Sequence, residues 1–427
     1  MLAVMVVKRV AVIGAGAAGL SAARHLVADP DHFACTVFEQ TGNVGGTWVY
    51  TDRVGKDEFG LPVHSSMYKS LRTNLPKEIM GFPDYPIPEQ ERSYLPAKDI
   101  LQFLNDYADH FRVRERVRFY HHVLSVAPKA GGGWAVRTRD LRTEQDQEEE
   151  FDAVMVCNGH YSKPFTPALP GVDSFLGATL HSHDYRTPDS FKGKNVVVIG
   201  AGPSGMDLCL EVALGGAASV VLSHHWPEPI NTRFPDNVRQ AADVARVMER
   251  SVEFADGTTA PADVLFYCTG YLYSFPFLSD ECRVRVVDNH VQPLYKHLVH
   301  VDHPTLALVG LPFYVCANSL FDLQARVFVR TLKGEVVLPS REEMLADTER
   351  EMERRRAMGM KNRQAHMMGP LQGDYYSELA ALGNLDSLPA VLTKLHNESS
   401  QRFLEDLVNY REDIYKIIDQ DNYIKAN

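Results

Sequence analysis

Two stretches of the chain carry the same hydrophobic pattern. Residues 8–13, KRVAVI, end in an unbroken apolar run, and the glycine-rich GAGAAG follows at once. An alanine-rich stretch over 17–28 is expected as a helix, and ACTVFE at 34–39 is a second apolar run. Short continuous apolar runs between turn signals fit strands buried on both faces. Strand, glycine turn, helix and strand together make a βαβ unit. The pattern returns as KNVVVI at 194–199, GAGPSG at 200–205, a helix over 203–214 and AASVVL at 217–222. Two such units in one chain predict a duplicated mononucleotide-binding fold, not a short-period repeat.

Further strands are expected in FDAVMVCNGH at 151–160, ADVLFYCTGY at 262–271 and HPTLALVGLP at 303–312, each ending at a glycine turn. GGG at 131–133 is expected at a hairpin tip, and EQDQEEE at 144–150 as a solvated turn. The charged stretch 340–360 predicts a helix, and 398–420 a final amphipathic helix. No Ser/Gly linker separates the units, so they are expected to interleave.

Composition narrows the partners. The 427 residues carry a net charge of −11, which argues against nucleic acid, since phosphate binding wants a basic surface. The six cysteines stand alone without any C-x-x-C, so they are expected as buried thiols, with no metal site. No apolar run reaches the length of about 20 residues that a membrane span needs. The opening MLAVMVVKRVAVIGAG is interrupted by Lys8 and Arg9 and reads as the lead into a strand, not as a signal peptide. A soluble protein is expected, cytoplasmic, or secreted if a signal has been removed.

The glycine turns carry the chemistry. Gly14 permits the tight turn, Gly16 lets a pyrophosphate approach the backbone, and Gly19 lets helix pack on strand. Ala18 stands in the helix's first turn, where the helix N-terminus meets phosphate charge. Glu39, at the end of the second strand, is placed to accept hydrogen bonds from ribose hydroxyls and to repel a 2′-phosphate, so this site fits FAD or NAD. Gly200, Gly202 and Gly205 repeat the device, with Ser204 beside them for the pyrophosphate. Here Ser223 and His224 take the place of the carboxylate, and Arg233 lies within reach along the chain. With the repulsion gone, NADPH is favoured and NADH remains admissible. Two dinucleotides in one chain imply hydride passage from nicotinamide to flavin. Without a paired redox cysteine the disulfide reductases drop out, which leaves a flavin that reacts with oxygen.

Between the units lies FLGATLHSHDY, 175–185. Its Phe175, Gly177, His181 and Tyr185 fit the pattern F-x-G-x-x-x-H-x-x-x-[YF], and the chain here resembles the flavin-containing monooxygenases, class B flavoproteins. VGGTW at 44–48, YKSLRTNLPKEIMGFPDYP at 68–86, AVMVCNGHY, CTGYLYSFPFL and LYKHLVHVDHPTLALVG resemble the family too, with a weaker echo in GDYYSELA at 373–380. The resemblance implies an α/β fold of two Rossmann-like domains, the NADP domain inserted into the FAD domain, with boundaries at 1–175, 176–295 and 296–427. It implies FAD, NADPH and O2 as co-substrate, with a C4a-hydroperoxyflavin that oxygenates a soft amine nitrogen or sulfur.

By the same resemblance Asn74 is the catalytic candidate, beside flavin and nicotinamide, with Thr73 next to it. Gly46, Thr47 and Trp48 would line the FAD, Gln324 and Arg326 would lie near the cofactors, and His181 would be a packed, hydrogen-bonded residue joining the domains. The polar end DQDNYIKAN resembles the soluble insect members, some of which N-oxidise pyrrolizidine alkaloids, so a small amine or sulfide is the expected partner. Homo-oligomerisation stays open. The rivals are a Baeyer–Villiger ketone monooxygenase, whose fingerprint usually ends in Trp where this chain has Tyr185, and a non-oxygenating NADPH–flavin oxidase or redox sensor.

Overall fold

The computed structural model describes residues 7–426, so the N-terminal lead over 1–6 lies outside the described residues. Strand β1 (Lys8–Ile13) has its last four residues buried and leads through the glycine turn into α1 (Ala17–Val27). Strand β2 (Phe33–Phe38) pairs parallel with β1, Val10 opposite Cys35. The next parallel strands are β3 (Val117–Arg118), beside β2, and β4 (Ala153–Val156), on the other side of β1 with Val10 opposite Ala153. All four residues of β4 are buried, as a parallel strand covered on both faces requires.

The chain then leaves this sheet and builds another. Strands β5 (Ala178–His181), β6 (Asn195–Ile199), β7 (Ser219–Ser223), β8 (Val238–Ala241) and β9 (Val264–Tyr267) form a second sheet in the order β8-β7-β6-β9-β5, parallel throughout. Helix α2 (Pro203–Leu214) connects β6 to β7. Afterwards the chain returns to the first sheet through β10 (Leu294–Tyr295), β11 (Val299–His300) and β12 (Leu306–Leu308). β12 pairs parallel with β4, Leu306 opposite Val154, and the first sheet reads β10-β11-β12-β4-β1-β2-β3. Helix α3 (Ala317–Lys333) then packs on α1, where His25 and Asp322 meet at 2.7 Å. This is an α/β fold of two Rossmann-like units, the second threaded into the first. The stretch 175–185 supplies the second sheet's edge strand, β5.

Two expectations need correction. EQDQEEE is not a turn: Gln145–Phe151 is a strand, paired antiparallel with Trp134–Asp140, and GGG forms the tip that joins the latter to His121–Pro128. Its acids are met by bases on neighbouring strands. Arg137 and Arg139 bind Asp146 at 2.7 and 2.6 Å, and Arg9 binds Glu149 at 2.9 Å. Opposite charges across a ladder turn an acidic run into an edge strand. The final helix is also shorter and earlier than expected, Ala390–Glu405, followed by a turn and the hairpin of Tyr415–Ile417 with Tyr423–Lys425. Asp406 (φ −142°) breaks the helix, and Arg402 reaches Asp413 at 2.8 Å to fold the chain back.

All six cysteines are free and buried. No helix among the described residues is long and apolar enough to cross a membrane.

Candidate functional site

Each sheet has a switch point in its parallel strand order, between β1 and β4 and between β6 and β9. Open parallel sheets bind ligands at the carboxyl ends of the strands at such a switch point. Both glycine turns stand there, and they are near copies. Gly14 (φ +101°) and Gly200 (φ +100°) have backbone that L side chains rarely adopt. A Cβ on Gly14 would lie 2.6 Å from the carbonyl oxygen of Cys157, and one on Gly200 2.7 Å from that of Cys268. Gly19 and Gly205 bring helix against strand so closely that a Cβ would overlap the carbonyl of Gly14 or Gly200.

The helix N-termini are also alike. Gly16 caps α1 and Gly202 caps α2, neither with a side-chain hydrogen bond. The free N–H groups of α1's first turn, Ala18 among them, and those of Ser204 and Gly205 on α2 leave a concentration of donors suited to a pyrophosphate. Apart from its chain neighbours, no atom of the described residues stands within 4 Å of a Cβ built on Gly202. Gly16 faces Gly46 instead, and a Cβ on Gly46 would lie 2.8 Å from the Gly16 Cα.

Gly46–Trp48 forms a short 3-10 turn over the first glycine motif. His64 Nε2 donates to the Gly46 carbonyl at 3.0 Å and Ser65 Oγ to that of Thr47 at 2.8 Å, so the turn is held from behind. Thr47 Oγ1, in the same turn, is a buried polar atom with no hydrogen-bond partner among the described residues. Glu39 is buried and receives N–H from Ala15 at 2.9 Å and from Thr41 at 2.8 Å, which fixes its carboxylate beside the turn. An uncapped helix, two glycine backbones in contact, an orphan hydroxyl and a fixed carboxylate fit a flavin dinucleotide.

Thr73 is buried and doubly bonded to Leu95, through its N–H at 2.8 Å and its Oγ1 at 3.0 Å. Asn74, the next residue, is exposed and its amide is uncommitted among the described residues. The second sheet's strand end is different. Ser223 Oγ donates to the Ala242 carbonyl at 2.8 Å, and His224 Nε2 pairs with Gln240 Oε1 at 2.9 Å. Both side chains are therefore engaged within the protein. Gln240 Oε1 also accepts from Ile230 N–H at 2.7 Å, which returns the loop bearing exposed Arg233 to the end of β7. Gln324 is not brought to the mouth. It is fully buried, accepts from Gly310 N–H and donates to Tyr375, both at 2.9 Å, and so shapes the loop after β12 from within. Arg326 is tied to Asp322 at 2.8 Å.

The two strand-end clusters meet. Tyr161, past β4, lies 5.5 Å ring to ring from Tyr271, past β9, and Tyr271 lies 5.4 Å from His181. Burial pushes the imidazole of His181 down to about 4, and its Nδ1 accepts from His183 N–H at 3.1 Å, so it is neutral and structural. His160, also pushed down to about 4 by burial, donates from Nδ1 to the Gly310 carbonyl.

Three residues here, Glu211, Asp207 and Arg186, escaped the sequence reading. Glu211 on α2 accepts from Tyr185 at 3.0 Å and Ser70 at 2.6 Å. Asp207, one turn earlier, accepts from Tyr68 at 3.1 Å and from Arg411. Arg186 is buried and, among the described residues, pairs with carbonyls: its donors go to those of Thr51, Arg53, Ser65, His183 and Tyr185. The one sequence signal was two acids four apart on an otherwise apolar helix.

Comparison with known proteins gives the same picture. The family model Flavin-binding monooxygenase-like matches residues 7–237 and 231–396. A flavin-containing monooxygenase of Arabidopsis thaliana (GS-OX5) is 39% identical over 389 residues, 87% of this chain and 84% of its own. Senecionine N-oxygenase of Tyria jacobaeae is 33% identical over 424 residues, 98% of this chain and 91% of its own. The solved S-allyl-L-cysteine S-oxygenase of Allium sativum superposes with a TM-score of 0.89 at 36% identity, covering 96% of each chain. The chain belongs to the flavin-containing monooxygenase family, as an FAD-dependent monooxygenase that uses NADPH and O2.

Proposed function

We propose that the protein oxygenates a soft nucleophilic nitrogen or sulfur, and that tertiary amines of the alkaloid type are its substrates. The observation that carries this is the position of Asn74. Its exposed amide follows a rigidly held Thr73, on a segment bonded to α2 of the second glycine unit through Tyr68 and Ser70. Relatives named for N-oxygenation and for S-oxygenation support the nucleophile class, and the one named for senecionine is matched over nearly the full length of this chain.

Bound FAD, reduced by NADPH, supplies the activation of O2. The chain holds and shields it. Gly14, Gly16, Ala18 and Gly19 give the pyrophosphate its turn and N–H donors, Glu39 takes the ribose, and Gly46, Thr47 and Trp48 close over the flavin. Gly200, Gly202, Ser204 and Gly205 do the same for NADPH, with Ser223, His224 and Arg233 around its ribose end. Asn74 can donate and accept at once, so one side chain can orient nicotinamide and oxygen-bearing groups together. Domain limits near 175 and 295 follow from the same reading.

The test is product analysis with NADPH, O2 and three probes: a tertiary-amine alkaloid, a thioether and a cyclic ketone. N-oxide or sulfoxide formed in proportion to NADPH consumed is expected. Lactone from the ketone as the main product would establish Baeyer–Villiger chemistry instead, and peroxide as the sole product an oxidase.

A further inference from the structure

The Asn74 segment is held by a residue more than 300 positions away. Arg411 Nε donates to the carbonyl of Thr73 at 3.0 Å, one peptide from Asn74. Its Nη2 donates to the Arg72 carbonyl at 3.4 Å. Arg72 answers, donating to the Arg411 carbonyl at 2.9 Å. The rest of the fork grips Asp207 on α2, with Nη1 to Oδ1 at 2.9 Å and Nη2 to Oδ2. Tyr68 OH donates to the same carboxylate at 3.1 Å. The side chains of Arg411 and Asp207 are only 16% and 12% exposed. Burial works against the charge of Arg411, and Asp207 overcomes it, so the guanidinium's pKa lies above its ordinary value.

The geometry points to Arg411 as a positioning residue that fixes Asn74 relative to the helix heading the second dinucleotide site. This rests on the reading of Asn74 given above. The fork is what matters. Asp207 sits one turn into the helix whose N-terminus receives the NADPH pyrophosphate, and Thr73 sits beside the side chain that meets the nicotinamide. One planar guanidinium spans both with fixed angles. A lysine keeps the charge toward Asp207 but cannot hold the Thr73 carbonyl at the same time. Loss of the fork therefore leaves each site formed and their spacing loose.

The test uses the FAD-loaded full chain with Arg411→Lys, Asp207→Asn, Asn74→Ala and the Arg411→Lys/Asn74→Ala pair. Three quantities are read: the NADP+ dissociation constant by equilibrium dialysis, the fraction of consumed NADPH released as peroxide, and the melting temperature. Arg411→Lys is expected to keep its FAD content and melt within a few degrees of the parent. It should bind NADP+ about tenfold more weakly and raise the peroxide fraction severalfold. Asp207→Asn, which keeps the shape and removes the charge, should repeat this if the lysine variant fails to fold. In the Asn74→Ala background the Arg411→Lys change should add little. NADP+ affinity and peroxide fraction within twofold of the parent would overturn the assignment, as would fully additive effects in the double variant. A parent that binds both cofactors and yields no oxygenated product would sink the proposed function, while the NADP+ affinities would still judge Arg411.

Discussion

Gly200 and Gly202 stand two residues apart and tolerate a side chain very differently. At Gly200 a methyl meets a positive φ and the Cys268 carbonyl oxygen at 2.7 Å. Gly200→Ala should cost roughly 1–3 kcal/mol or more in stability, visible as a lowered melting temperature. At Gly202, φ is −73° and no protein atom lies near, so Gly202→Ala should leave folding unchanged within about 0.5 kcal/mol. The methyl would instead occupy the approach of the pyrophosphate. NADPH binding, measured by dialysis, should weaken at least about tenfold while the melt stays put. Asn74→Ala should likewise fold normally, since the side chain is exposed. Its oxygenation rate should fall by about 100-fold, as expected when a hydrogen-bonding group at the reacting centre is removed.

Elements were legible where their information is local. The strand–glycine–helix units announce themselves because a buried parallel strand is apolar throughout and the turn needs glycine at fixed places. The strand Gln145–Phe151 did not, because what makes it a strand is Arg137 and Arg139 across the ladder, not its own residues. The Arg411 fork was invisible for the same reason: its partners lie 204 and 338 positions away. For Ser223 and His224 the sequence shows two polar side chains at a strand end, and only the fold reveals Ala242 and Gln240 as the partners that orient them. The charged helix Arg341–Ala357 shows the local case again. Ser340 accepts from Glu343 N–H, and Glu343 reaches back to the Ser340 N–H at 2.8 Å. Ser340→Ala should therefore destabilise by about 1 kcal/mol in denaturant titration, with the site's cofactor affinities untouched.

At the scale of the molecule, buried histidines set the acid limit. His181, His300 and His396 are at most 9% exposed, and burial pushes each down to about 4. In the unfolded chain a histidine titrates near 6.5. Between these values the unfolded state binds protons that the folded state refuses. Stability is thus full above about pH 6.5 and falls as pH drops toward 4, by up to about 1.4 kcal/mol per pH unit for each histidine. The urea midpoint should decline from pH 7 to pH 5, and His396→Gln, on the helix Ala390–Glu405, should make that decline shallower. A flat profile would mean these histidines are not neutral in the fold.

The return of the chain to its first sheet has a consequence for its manufacture. The first glycine unit emerges from the ribosome early, yet β4 has no neighbour on its outer side until β12, Leu306–Leu308, has been made. Helix α3, which covers α1, comes later still. The second sheet, by contrast, has all its strands by Tyr267. The unit that begins second is the first that can be finished, and the nascent chain must keep an incomplete, apolar β1 and β4 out of trouble meanwhile. With the flavin assigned to the first unit, as proposed, its capture during translation is expected to be a late event. It awaits the strands and helix that close the first unit, and chains arrested before them would carry a finished nicotinamide unit beside an unfinished flavin one.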